Sequence, residues 1–248
     1  MTQRNQQLGD MFPAAVFWAV FGFHVVQFLL TEMVRLHMKL DYDSARMMWG
    51  MLLDANHPAR MAGGGFIELI VGWFCFLHFR QNGLAGDVLQ PGRIGSLSIF
   101  VASLGVMIIP ELVYDFASQL MPQDGQGPEL YREGQSAAFL PSQALGVFLL
   151  IVVIAPAIEE FLFRGVFMST MLARGWADWV VVLISAIGFT FLHQQYTGFG
   201  MAVIFLLGAG LGYMRIWSGG VLLPWIGHLA FNLKAFVFSY MYVMQSAS

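Results

Sequence analysis

Charge is what this chain has least of. Of its 248 residues only 11% are Asp, Glu, Lys or Arg, against about 25% in an ordinary soluble domain. With 58% hydrophobic residues and a mean hydropathy of +0.67, that scarcity excludes a soluble globular domain and implies a polytopic membrane protein. Lysine is nearly missing, since Lys39 and Lys234 are the only two among twelve basic residues; the bias to arginine hints at a GC-rich bacterial genome. A net charge of −3 offers no basic face, so nucleic acid is excluded as a partner. The single cysteine, Cys75, excludes an intrachain disulfide and a cysteine metal cluster. Met1 to Asp10 lacks the Lys/Arg-rich start and small-residue cleavage site of a signal peptide. No linker, repeat or low-complexity tract divides the chain, so residues 1–248 read as one integral membrane domain. Also absent are Gly-x-Ser-x-Gly, His-Glu-x-x-His and Gly-x-Gly-Asp, the local patterns of serine, zinc and aspartyl hydrolases.

What is present is a series of apolar runs long enough to cross a bilayer, which takes about 20 helical residues. They fall at Met11 to Leu30, Met61 to Phe79, Ile94 to about Leu112, Leu145 to Leu172, Trp176 to His193, Phe199 to Trp217 and Val221 to Tyr242. The expected fold is therefore an all-α transmembrane helix bundle with seven crossings, or eight if part of Thr31 to Arg60 inserts. That stretch is amphipathic. A short interfacial helix is expected near residues 43–57, capped by Asp43 or Ser44 and stopped before Pro58. Residues Tyr114 to Gly134 form an acidic loop with Asp115, Asp124, Glu129 and Glu133 against Arg132. Trp176, Trp179, Trp217 and Trp225 all fall at one membrane face, as an aromatic belt does, together with Arg4, Arg80, Arg93, Arg174 and Arg215. That face is assigned to the cytoplasm. His24 and Gln27 in the first span read as polar groups satisfied by neighbouring helices. Glu68 in the second reads as a member of a polar core or a partner of Arg60.

The fourth run carries the anomaly: Glu159, Glu160 and Arg164 sit inside an otherwise apolar segment. Each ionisable group at membrane depth costs about 2.5–3.5 kcal/mol on insertion scales, so such groups face a bundle interior. Glu160 and Arg164 are four apart and share a helical face, where they can neutralise each other. Glu159 is turned about 100° away from that pair. The alternative is that all three form a buried ion-pair staple.

Three more polar residues converge on the same level. Glu159 lies 16 residues before Gly175 and His193 lies 17 after Trp176, so antiparallel helices at about 1.5 Å per residue bring both about 25 Å from one turn. His228 and Asn232 share a face of the last run at i, i+4 spacing. A carboxylate and a histidine in a low-dielectric pocket can take a proton from water as a general base. A second histidine and an amide can donate to a developing oxyanion. The same Glu159, His193 and His228 are also a zinc ligand set by residue type, which leaves a metal-dependent hydrolase open.

Glu159-Glu160-x-x-x-Arg164, Phe189-x-x-x-His193 and His228-x-x-x-Asn232, in this order on successive membrane helices, resemble the CAAX protease and bacteriocin-processing family of intramembrane glutamic endopeptidases. That family includes the Ras-converting prenyl endopeptidase. The resemblance covers residues 145–232, expected as the catalytic core, and every motif residue is intact. It implies a hydrolase in which Glu159 and His193 activate water, His228 and Asn232 serve the oxyanion, and Glu160 and Arg164 support them, with no cofactor and no metal. It further implies a membrane-anchored protein or peptide as substrate, the lipid bilayer as surroundings, and a multi-pass place in the bacterial inner membrane. A non-catalytic immunity or client-binding protein of the same family is the alternative.

Overall fold

The computed structural model describes residues 2–45, 47, 60–120, 144–193 and 198–246. Among these the chain is helical and contains no strand. We label the helices α1 (Gln3–Asp10), α2 (Phe12–Met38), α3 (Arg60–Gln81), α4 (Ala85–Val88), α5 (Ser96–Leu120), α6 (Ala144–Ala173), α7 (Asp178–Phe191), α8 (Gly198–Ser218) and α9 (Leu222–Ser246). Among the described residues three stretches are long and apolar enough to cross a membrane: α2, α6 and Gly200–Ser218 of α8. Ser96–Val106, Asp178–Phe191 and Leu222–Phe238 are shorter apolar helices. The outer surface carries Phe28, Leu29, Trp73, Phe74, Phe100 and Ile109 in the open. An exterior that apolar belongs in lipid, and the chain is an integral membrane protein.

Several boundaries differ from the sequence reading. α2 continues to Met38 instead of stopping at Leu30, because Glu32 and Arg35 pair at 2.8 Å across one turn and spare each other's charge. It ends where Lys39 turns left-handed at φ 54°. The helical turn at residues 42–45 is capped by Asp41, whose Oδ1 accepts from the Ser44 N–H at 2.9 Å, and not by Asp43 or Ser44. The remainder of the expected interfacial helix lies outside the described residues. α5 reaches Leu120 and absorbs the start of the acidic loop; Asp124, Glu129, Arg132 and Glu133 lie outside the described residues. His24 is exposed and stands edge-on to Phe23, so it is not satisfied inside the bundle as expected.

α6 runs through the middle. α3 lies along it in the same direction, with Gly72 so close to Ile158 that an added Cβ would come within 3.0 Å, and with Gly65 against Leu150. α7 and α8 are antiparallel: a Cβ on Gly208 would meet Ala186 at 3.3 Å, and one on Gly212 would meet Val182 at 3.3 Å. This small-xxx-small spacing is what lets membrane helices approach closely. α9 packs on α5, α6 and α8. α6 ends at Gly175, φ 79°, where Gly175 N–H bonds Leu172 O at 2.9 Å and Trp176 N–H bonds Met171 O at 3.3 Å, a Schellman closure. The α8–α9 turn is fixed by backbone bonds to the 90–93 segment: Val221 to Gln90 at 2.9 Å, Leu222 to Pro91 at 3.2 Å, and Arg93 to Ser218 at 2.8 Å.

The aromatic belt is only half present. Trp179 and Trp217 are exposed as expected. Trp176 instead packs on Phe12 at 5.4 Å, and Trp225 turns inward to Val153 O.

Candidate active site

The segment that carries the glutamates is bracketed by two π-helical stretches of α6, Phe148–Ile154 and Phe161–Phe167. π turns re-aim backbone carbonyls, and in a bilayer no water takes them up. Side chains from other helices do so. Asn232 Nδ2 donates to Ile151 O at 2.9 Å, Trp225 Nε1 to Val153 O at 3.4 Å, and Arg215 Nε to Arg164 O at 3.0 Å. Arg215 also donates to Ser169 Oγ at 3.1 Å. Irregular backbone in α6 is thereby pinned by α8 and α9, which sets where the functional side chains stand.

Glu160 and Arg164 form the expected pair. Arg164 Nη1 lies 3.1 Å from Glu160 Oε1, with side chains 0% and 1% exposed. Arg164 Nη2 donates to Gly208 O at 2.8 Å, and its guanidinium lies 4.8 Å from the Phe189 ring centre. Glu160 Oε1 also meets His228 Nδ1 at 2.9 Å. The other nitrogen of His228, Nε2, is 3.8 Å from Glu159 Oε2. His228 therefore stands between the two glutamates. Glu159, turned away from Arg164 as its spacing requires, keeps 19% of its side chain open, and its Oε2 has no hydrogen-bond partner.

His193 follows the end of α7, with Nδ1 2.8 Å from Phe189 O. A carbonyl only accepts, so Nδ1 carries the hydrogen and Nε2 holds the lone pair, the tautomer a general base needs. The Phe189 ring joins His193 to the group, 4.5 Å from His193 and 5.7 Å from His228 between centroids. Asn232, assigned by spacing to the oxyanion, spends one amide hydrogen on Ile151 O. Among the described residues no three His, Cys, Asp or Glu side chains take up a metal-ligating arrangement, so the zinc alternative gains nothing from the geometry.

Two features escaped the sequence. Arg215 reads as an interfacial cation beside Trp217, yet it is 7% exposed and serves α6 from within. Its carbonyl partner, Arg164 O, lies in a π turn, which leaves no local signature. The role of Gly208 was legible in principle through its four-residue spacing from Gly212.

Residues 141–234, under half of the chain, match the family model described as "Type II CAAX prenyl endopeptidase Rce1-like". All six singled-out residues fall inside that stretch. An "Uncharacterized 24.3 kDa protein" of Escherichia coli is 39% identical over 83 residues, which are 33% of this chain and 38% of that protein. No solved structure matches. Residues 141–234, the stretch that carries the whole candidate site, are thus similar to the type II CAAX prenyl endopeptidase Rce1-like family.

Proposed function

We propose that the protein is an intramembrane endopeptidase that hydrolyses a peptide bond in a membrane-associated protein or peptide, with residues 145–232 as its catalytic core. In this reading a water molecule loses a proton to Glu159, assisted by His193 Nε2, as its oxygen attacks the scissile carbonyl carbon. The carbonyl oxygen becomes an oxyanion. When both ring nitrogens of His228 carry hydrogen, Nδ1 serves Glu160 and Nε2 presents its N–H to that oxygen, with the remaining Asn232 amide hydrogen as the second donor. Collapse breaks the C–N bond, and the proton held by Glu159 passes to the leaving amine. No metal takes part. The bundle crosses the bacterial inner membrane seven times, or eight with part of residues 31–60.

One observation carries the proposal: Glu159 stands 3.8 Å from His228 between apolar helices, and its Oε2 has no hydrogen-bond partner. Arg164 and Glu160 pair with each other at 3.1 Å, whereas Glu159 Oε2 has no hydrogen-bond partner. The test is cleavage of a membrane-anchored reporter by purified enzyme and its Glu159→Gln variant. Loss of cleavage with an unchanged melting midpoint is expected, since the amide keeps the shape and loses the base. Full activity of that variant would sink the mechanism, and absence of cleavage by the wild type would favour a client-binding protein.

A further inference from the structure

Glu68 belongs to none of the family motifs, yet α3 turns it toward the same pocket. Gly65 and Gly72 are the positions at which α3 touches α6, against Leu150 and Ile158. Glu68 lies three residues after one and four before the other, so it shares their face. Because α3 and α6 run the same way, that face lies beside the stretch of α6 that leads into Glu159. The Glu68 carboxyl is close enough to Glu159 for their charges to act on one another. Its Oε2 is buried and makes no hydrogen bond; the same holds for Glu159 Oε2 and for Glu160 Oε2, on a side chain 1% exposed.

Of the three carboxyls, Glu160 pairs with the Arg164 guanidinium at 3.1 Å and Glu159 lies 3.8 Å from His228 Nε2, which leaves Glu68 with no ion pair among the described residues. Three carboxyl oxygens of this cluster have no hydrogen-bond partner among the described residues. A buried carboxyl is held as a charged group only when it is paired, so a cation that reaches Glu68 meets an acceptor that nothing else occupies. We propose that Glu68 is a specificity-determining residue that receives a basic side chain of the substrate, a lysine or arginine close to the scissile bond. The inference rests on the reading of Glu159 as the base. An extended peptide advances about 3.3–3.6 Å per residue, which places the basic residue within about two or three positions of the cut.

The probe is a mixture of lipid-anchored peptides randomised on both sides of a central segment, incubated with purified enzyme in bilayer discs and read by mass spectrometry of the products. Lys and Arg are expected to be enriched near the cleavage position. The enrichment is lost in Glu68→Gln and retained in Glu68→Asp, which keeps the charge. With a matched lysine and norleucine pair taken from the library, Glu68→Gln lowers kcat/KM at least about tenfold on the lysine peptide. It changes the norleucine peptide less than about twofold. Cleavage with no basic enrichment, enrichment that survives Glu68→Gln, or equal loss on both peptides overturns the inference, the last because it marks a merely structural acid. Absence of cleavage, or cleavage undiminished by Glu159→Gln, overturns the proposed function instead.

Discussion

Arg164→Ala is the perturbation with the largest calculable consequence. The guanidinium is fully buried and satisfies Glu160 Oε1 at 3.1 Å and Gly208 O at 2.8 Å, while lying over Phe189. Breaking a buried ion pair by removing one partner costs about 3–5 kcal/mol, because the remaining charge is left unpaired. His228 Nδ1 contacts the same carboxylate oxygen at 2.9 Å and offsets part of that loss, so the lower end, about 3 kcal/mol, is expected. A chain of this size loses roughly 2–4 °C per kcal/mol, which gives a fall of roughly 6–12 °C in the detergent melting midpoint. The fall persists in high salt, since a buried pair is little screened. Adding Glu160→Ala to Arg164→Ala removes the orphaned carboxylate, so the second substitution costs less there than in the wild-type background. An unchanged midpoint for Arg164→Ala, or strictly additive losses in the double variant, would refute a dry, coupled pair.

Three further outcomes follow from the same geometry. His193→Ala abolishes cleavage of a membrane-anchored peptide while leaving the melting midpoint within about 1–2 kcal/mol equivalents of wild type, because the hydrogen bond from its Nδ1 is made to Phe189 O at its own helix end; retained turnover would remove it from the water-activating role. Gly220→Ala lowers the melting midpoint, since its Cβ falls on the backbone of Pro91 and Gly92, whereas Gly210→Ala, with nothing within 4 Å, raises stability by about 0.5–1 kcal/mol through helix propensity; equal effects at the two positions would mean that the α8–α9 turn is not seated on residues 90–93. Purified protein holds far less than one zinc per chain and keeps its activity after exhaustive chelation, measured by elemental analysis beside the cleavage assay; stoichiometric zinc whose removal and return switch activity off and on would make Glu159, His193 and His228 ligands.

The sequence alone determined the membrane setting, the helical class and which polar residues stand inside the apolar runs. These readings are local: they depend on apolar run length, on the cost of charge in lipid, and on the 3.6-residue period that pairs Glu160 with Arg164 and turns Glu159 away. The tertiary structure decided what no local pattern encodes. α2 and α5 run past their expected ends because helix propagation outlasts the apolar run. Arg215 is buried because carbonyls re-aimed by π turns in α6 need donors that water cannot supply. The same requirement turns Trp225 inward and commits an amide hydrogen of Asn232 to Ile151. Phe189, an ordinary apolar residue in the sequence, becomes the plate between Arg164, His193 and His228 only once α7 lies against α6 and α8. Glu68 reads as one stray acid until the glycines of α3 bring its helix against α6, beside the stretch that leads into Glu159.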